Sequence, residues 1–147
     1  MTGTKKPDHE EQYYESETSL PQSYKYKATQ VTLTKSNIYK AIIETEDHNY
    51  SKNGSLKVNL LLTPEGPDEQ EDAPISDNHH FQVLVMYPVA GGGHRFDTVT
   101  SGKVSYTFDS QEEIFKVTKI SFEAKGDNSL PHYSFSNGKA YAKGMKP

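Results

Sequence analysis

The chain has no cysteine, which excludes thiolate metal sites, thiol nucleophiles and a disulfide framework together. That absence leaves the compartment open. Arg95 is the sole arginine and there is no basic run, so the electrostatic footprint of a nucleic-acid binder is missing and no nucleic-acid partner is expected. No apolar stretch reaches membrane-spanning length, and the lysines near the N-terminus precede no hydrophobic region, so neither a span nor a secretory signal is expected. Cytoplasmic residence is the default expectation, and export by a route that leaves no N-terminal signal is compatible with it. Helical periodicity is scarce. Ser110 to Phe115, with Ser110 as N-cap and Glu113 three residues on, is expected to form one turn at most.

What the chain does contain is a series of short alternating segments. They read Lys25 to Leu33, Ile38 to Glu44, Leu56 to Leu62, Phe81 to Tyr87, Lys103 to Phe108, Ile114 to Ala124, His132 to Ser136 and Lys139 to Lys143, with turn-forming residues between nearly all of them. This pattern predicts an all-β fold, an antiparallel β-sandwich of about eight strands with Greek-key topology as an option. At 147 residues the chain suffices for one domain with its own core, assigned to residues 24–147. Residues 1–23 are polar and acidic and are expected to form a disordered tail, with Tyr13 and Tyr14 as a recognition segment in the alternative reading.

Parity makes sharper predictions. Tyr24, Tyr26 and Ala28 share one face while Val31 and Leu33 fall on the other, so a bulge or strand break is expected near Thr29 or Gln30. The same slip separates Phe115 and Val117 from Ile120, Phe122 and Ala124. Leu56, Val58, Leu60 and Leu62 make one inward face, with Lys57 and Asn59 outward. Phe81, Val83, Val85 and Tyr87 make another, and Leu84 and Met86 render its opposite side apolar, which predicts a central strand covered on both sides. Asn137 and Gly138 suit a type I′ turn joining two C-terminal strands. Asn53 and Gly54 look similar, but a tight turn there mismatches the apolar pattern, so a longer loop from Glu46 to Gly54 is expected.

Candidate chemistry concentrates in Pro88 to Asp97, where three glycines precede His94, Arg95 and Asp97. Bare amides there could let a ligand approach the main chain, although a phosphate loop lacks its spaced glycines, its Lys-Ser or Lys-Thr and its helix. His79 and His80 are neighbours on a strand and point to opposite faces, so a metal site would need one of them with His94 or His132 and Asp77 or Asp97. No zinc-enzyme spacing is present, and no metal or other cofactor is expected. The acidic run Glu65 to Asp72 lacks the EF-hand pattern and reads as a solvated loop. No serine sits in a Gly-x-Ser-x-Gly elbow. Tyr39, Tyr50, Tyr87, Tyr133 and Tyr141 lie on or near strand ends, where rings stack on sugars or dock peptides.

These readings converge on a non-enzymatic binding or interaction module that recognises a glycan, peptide or protein through its inter-strand loops, Glu46 to Gly54, Pro64 to His80 and Pro88 to Thr100. The expected ligand-binding residues are His94, Arg95, Asp97, Tyr50 and Tyr87. One alternative is a metal-assisted hydrolase built on His94, Asp97 and a histidine from another loop. Another is a self-assembling structural subunit that pairs exposed edges, with the oligomeric state left open.

Overall fold

The structure, a computed structural model, describes residues 12–19, 24–52, 54–76, 78–126 and 132–145. They form ten strands: β1 (Tyr13–Thr18), β2 (Tyr24–Lys27), β3 (Gln30–Thr34), β4 (Ala41–Ser51), β5 (Gly54–Leu62), β6 (Glu69–Pro74), β7 (Phe81–Pro88), β8 (His94–Asp109), β9 (Ile114–Lys125) and β10 (His132–Lys143). All pair antiparallel in one curled sheet of order β2-β1-β10-β9-β8-β7-β5-β4-β3, with β6 also on β8. The two ends of this path are consecutive in sequence. Ala28 and Thr29 link β2 to β3, donating their amides to Tyr14 O (3.0 Å) and Glu46 O (2.8 Å).

The expected break therefore falls where parity places it, between Lys27 and Gln30. The second slip is a bulge in β9, where Ser105 pairs with Lys119 but Tyr106 with Val117, leaving Thr118 as the extra residue. Both irregularities keep apolar side chains inside while the backbone turns.

Three local expectations are corrected. Asn137 and Gly138 do not turn a hairpin; they form a bulge inside β10, with Asn137 at φ 55° and Gly138 opposite Ile120. The flanking segments both pair with β9, so the positive-φ residue serves an extra-residue kink instead of a reversal. The loop expected from Glu46 to Gly54 is mostly strand: Ser51 pairs with Gly54, and the extra β4 residues between Asp47 and Ser51 absorb the mismatch that argued against a tight connection. The third correction concerns the head. Tyr13–Thr18 is a strand between β10 and β2, with Tyr14 and Ser16 buried, because its alternating residues complete the inner face. Residues 1–11 and 20–23 of that expected tail lie outside the described residues. The acidic loop likewise contributes β6, and these additions raise the strand number above eight.

Two features set the geometry of the site. β8 is 16 residues long: its first part, His94 to Asp97, pairs with β7, and from Thr98 on it runs along β9, with β6 on its other side near the end. It bends at an extra residue between Val99 and Ser101, beside Gly102, where a Cβ would lie 2.6 Å from Ser121 O and 2.7 Å from Phe122 Cβ. Only glycine allows the two backbones this close. β7 is central as expected, but its outer residues Leu84 and Met86 are half-buried, not covered. The core combines the Phe81, Tyr106, Phe108 and Phe115 rings, the stacked Phe122–Phe135 pair and the aliphatic inner faces of β3, β4 and β5.

Candidate functional site

The residues expected to bind a ligand fall at the end of the sheet where the β4–β5 and β7–β8 connections lie. Period two divides them: Arg95 and Asp97 share the inner face of β8, while His94 and Phe96 have the opposite parity. Asp97 is 4% exposed, and both of its carboxylate oxygens accept hydrogen bonds. Arg95 donates to it twice, Nε to Oδ1 at 2.6 Å and Nη2 to Oδ2 at 2.9 Å, and Tyr133 donates its hydroxyl to Oδ2 at 2.5 Å. The guanidinium carbon lies 4.6 Å from the centre of the Tyr87 ring, a cation–π stack.

Tyrosines extend the cluster. Tyr50 donates its hydroxyl to that of Tyr87 at 3.3 Å, and its ring meets the rings of Tyr24 and Tyr87 edge-on. Tyr24 donates to Asp47 Oδ2 at 2.8 Å, and Asp47 also accepts from the amides of Lys27 (3.2 Å) and Asn49 (2.9 Å). Burial, then the Asp97 hydrogen bond and charge, pushes the Tyr133 phenol far above its ordinary value, and Arg95 offsets only part of that. Burial and the bond to Tyr87 raise Tyr50 in the same way. Tyr24 is pushed up to about 12 by burial and by Asp47. These phenols remain neutral donors throughout the physiological range.

Four of the five expected site residues, Arg95, Asp97, Tyr50 and Tyr87, thus come together, with Tyr133 and Tyr24 added. His94 does not join them: its Nε2 donates to Ser55 O at 2.8 Å. Among the described residues the hydrogen-bond partners of Asp97 are Arg95 and Tyr133, not a histidine, so the metal site of the hydrolase alternative is not formed there. His79 is bonded to Ser76 and His80 to Thr63, and among the described residues no group of three histidine or carboxylate side chains could hold a metal ion. Asp77 lies outside the described residues. Tyr39 donates to Gln82 (2.8 Å) and Tyr141 stacks on Tyr13, so both serve packing. In the acidic run, Asp68 pairs with Lys40 (2.7 Å) and Asp72 with Lys119 (3.4 Å).

The hairpin above the cluster is its open part. Gly91, Gly92 and Gly93 have φ of 89°, 98° and 81°, and a Cβ on any of them would meet nothing within 4 Å. Phe96, at the base of this hairpin on its outer side, is 68% exposed and pairs with Met86. Phe96 was not singled out in the sequence, although its parity opposite Arg95 and Asp97 was the available signal.

Among the described residues no helix is long and apolar enough to cross a membrane. No protein-family model, curated protein or solved structure matches the chain.

Proposed function

We propose that this protein is a non-enzymatic binding module whose recognition element is the β7–β8 hairpin. In this reading the curled sheet works as a sandwich-like support, its two flanks held together by tyrosines that reach across, as Tyr26 does toward Thr45 and Leu56. The observation that carries the proposal is the division of labour along β8. Arg95 and Asp97 are consumed inside, where they and Tyr87 fix the hairpin base. Phe96 and the glycine tip face outward with open space around them. A rigid base beneath a side-chain-free tip suits recognition on a scaffold, and exposed aromatic area supplies its affinity. The catalytic-type groups of the cluster are matched to one another, with phenols held neutral, which suits support more than proton transfer.

The test passes the wild-type protein and Phe96→Ala, matched by circular dichroism, over an immobilised glycan panel and a displayed random-peptide library. Retention of a ligand by the wild type and its loss in the variant is the expected result. Equal retention by both, or chemical conversion of the retained ligand, overturns the reading.

A further inference from the structure

Outside the hairpin, the antiparallel register builds two rows of side chains on the outer face. One row runs Thr32, Glu44, Asn59, Leu84 across β3, β4, β5 and β7. The other, two residues along, starts at Gln30, passes through Glu46 and Lys57, and ends at Met86 and Phe96. Strand spacing makes the longer row roughly 19 Å and sets the rows roughly 7 Å apart. Between them lies a depression of about 400 Å³, bounded on the polar side by Gln30, Thr32, Glu44 and Asn59.

We infer that this depression is a binding site for a neutral saccharide, resting on the reading of the protein as a binding module. Three observations point to that chemistry. First, the side chains of Gln30, Thr32, Glu44 and Asn59 make no hydrogen bond to another described residue. Two amides, a hydroxyl and a carboxylate therefore offer donors and acceptors side by side, the mixture that sugar hydroxyls, each donor and acceptor, can satisfy. Second, Met86, which lines the depression, and Phe96 beyond it close the far end of the longer row with apolar surface, which suits the C–H face of a pyranose ring. Third, the charge is nearly balanced and mostly spent. Glu46 accepts from Ser55 at 2.5 Å and faces Lys57 at 4.0 Å and His48 at 3.3 Å, which leaves Glu44 as the open charge among the described residues of the lining and disfavours an anionic ligand.

The floor also argues against an extended peptide adding as a strand. At Glu44, Glu46, Lys57, Asn59 and Met86 the strands β4, β5 and β7 are paired on both sides, so the main chain under the middle of the depression offers no free ladder, while β3, which carries Gln30 and Thr32, ends the sheet path. Recognition over that middle runs through side chains.

The experiment titrates the full chain with neutral oligosaccharides from a glycan panel by calorimetry, alongside Asn59→Ala, Thr32→Val and Phe96→Ala, with circular dichroism confirming each fold. Saccharide binding in the wild type, weakened about tenfold or more in Asn59→Ala and in Thr32→Val, supports the site. Saccharide binding that these two variants leave unchanged overturns it. Selection of a peptide through Phe96 without any saccharide binding also overturns it, while the binding-module reading survives. If neither glycan nor peptide is retained, both fail.

Discussion

Arg95 and Asp97 stand two residues apart on one face of β8 and close a two-pronged ion pair, 2.6 and 2.9 Å long, with the carboxylate buried. Tyr133 donates to the carboxylate and Tyr87 stacks on the guanidinium. Breaking such a pair from one side leaves a buried charge uncompensated. Asp97→Asn is therefore expected to lower stability by about 3 kcal/mol in urea unfolding, and Arg95→Met by a comparable amount. The double variant Arg95→Met with Asp97→Leu should lose clearly less than the sum. A single-variant loss within about 0.5 kcal/mol would show the pair to be incidental.

The tyrosines give the protein an alkaline limit. Tyr24 and Tyr106 are raised to about 12, both chiefly by burial, with Asp47 and Asp68 respectively adding to the shift. Because the folded values exceed the unfolded one near 10, the folded chain holds protons that the unfolded chain loses. The resulting stability is complete below about pH 10 and is lost as pH climbs toward 12. Absorbance of ionised phenol should lag that of urea-unfolded protein between these values, then rise together with loss of the β-sheet signal. Coincident titration of folded and unfolded chains would contradict this.

Gly102 is expected to be the least replaceable residue of the β8 bend. A methyl group at 2.6 Å from the Ser121 carbonyl has no flexible neighbour to displace, so Gly102→Ala should cost about 2 kcal/mol or more by denaturant unfolding. The same change at Gly92 meets no atom within 4 Å but must hold φ at 98°, so only backbone strain of about 1 kcal/mol is expected.

Two adjoining buried phenols should respond in opposite ways to loss of the hydroxyl. Tyr26 and Thr45 hydroxyls lie 2.8 Å apart, within reach of the Leu56 (3.1 Å) and Val58 (2.6 Å) carbonyls. The Tyr14 hydroxyl is buried with no hydrogen-bond partner among the described residues, and Ser16 beside it donates to the Glu17 and Ser136 carbonyls. Tyr26→Phe is expected to lose about 1 kcal/mol, whereas Tyr14→Phe should be neutral or stabilising. Thermal unfolding of the two variants checks the contrast.

Parity along single strands was legible in the chain. It located the break between Lys27 and Gln30, the bulge at Thr118 and the outward position of Asn59. Pairing between strands was not, because register depends on how connections absorb extra residues, as between Asp47 and Ser51. Asn137 shows the limit plainly: the same positive φ serves a turn or a bulge, and only the partner strand decides. Arg95, Asp97, Tyr50 and Tyr87 could be singled out from residue type and position. Their inward orientation, and the alignment of Thr32 with Glu44 and Asn59, emerge only when five strands are laid side by side.

The separation of an internal clamp from an external recognition face is tested most directly by comparing Asp97→Asn with Phe96→Ala in both thermal unfolding and ligand capture. Asp97→Asn should melt roughly 10 °C lower. Phe96→Ala should melt as the wild type does and fail to retain the ligand. A Phe96→Ala protein that retains ligand normally, or an Asp97→Asn protein that melts normally, would contradict it.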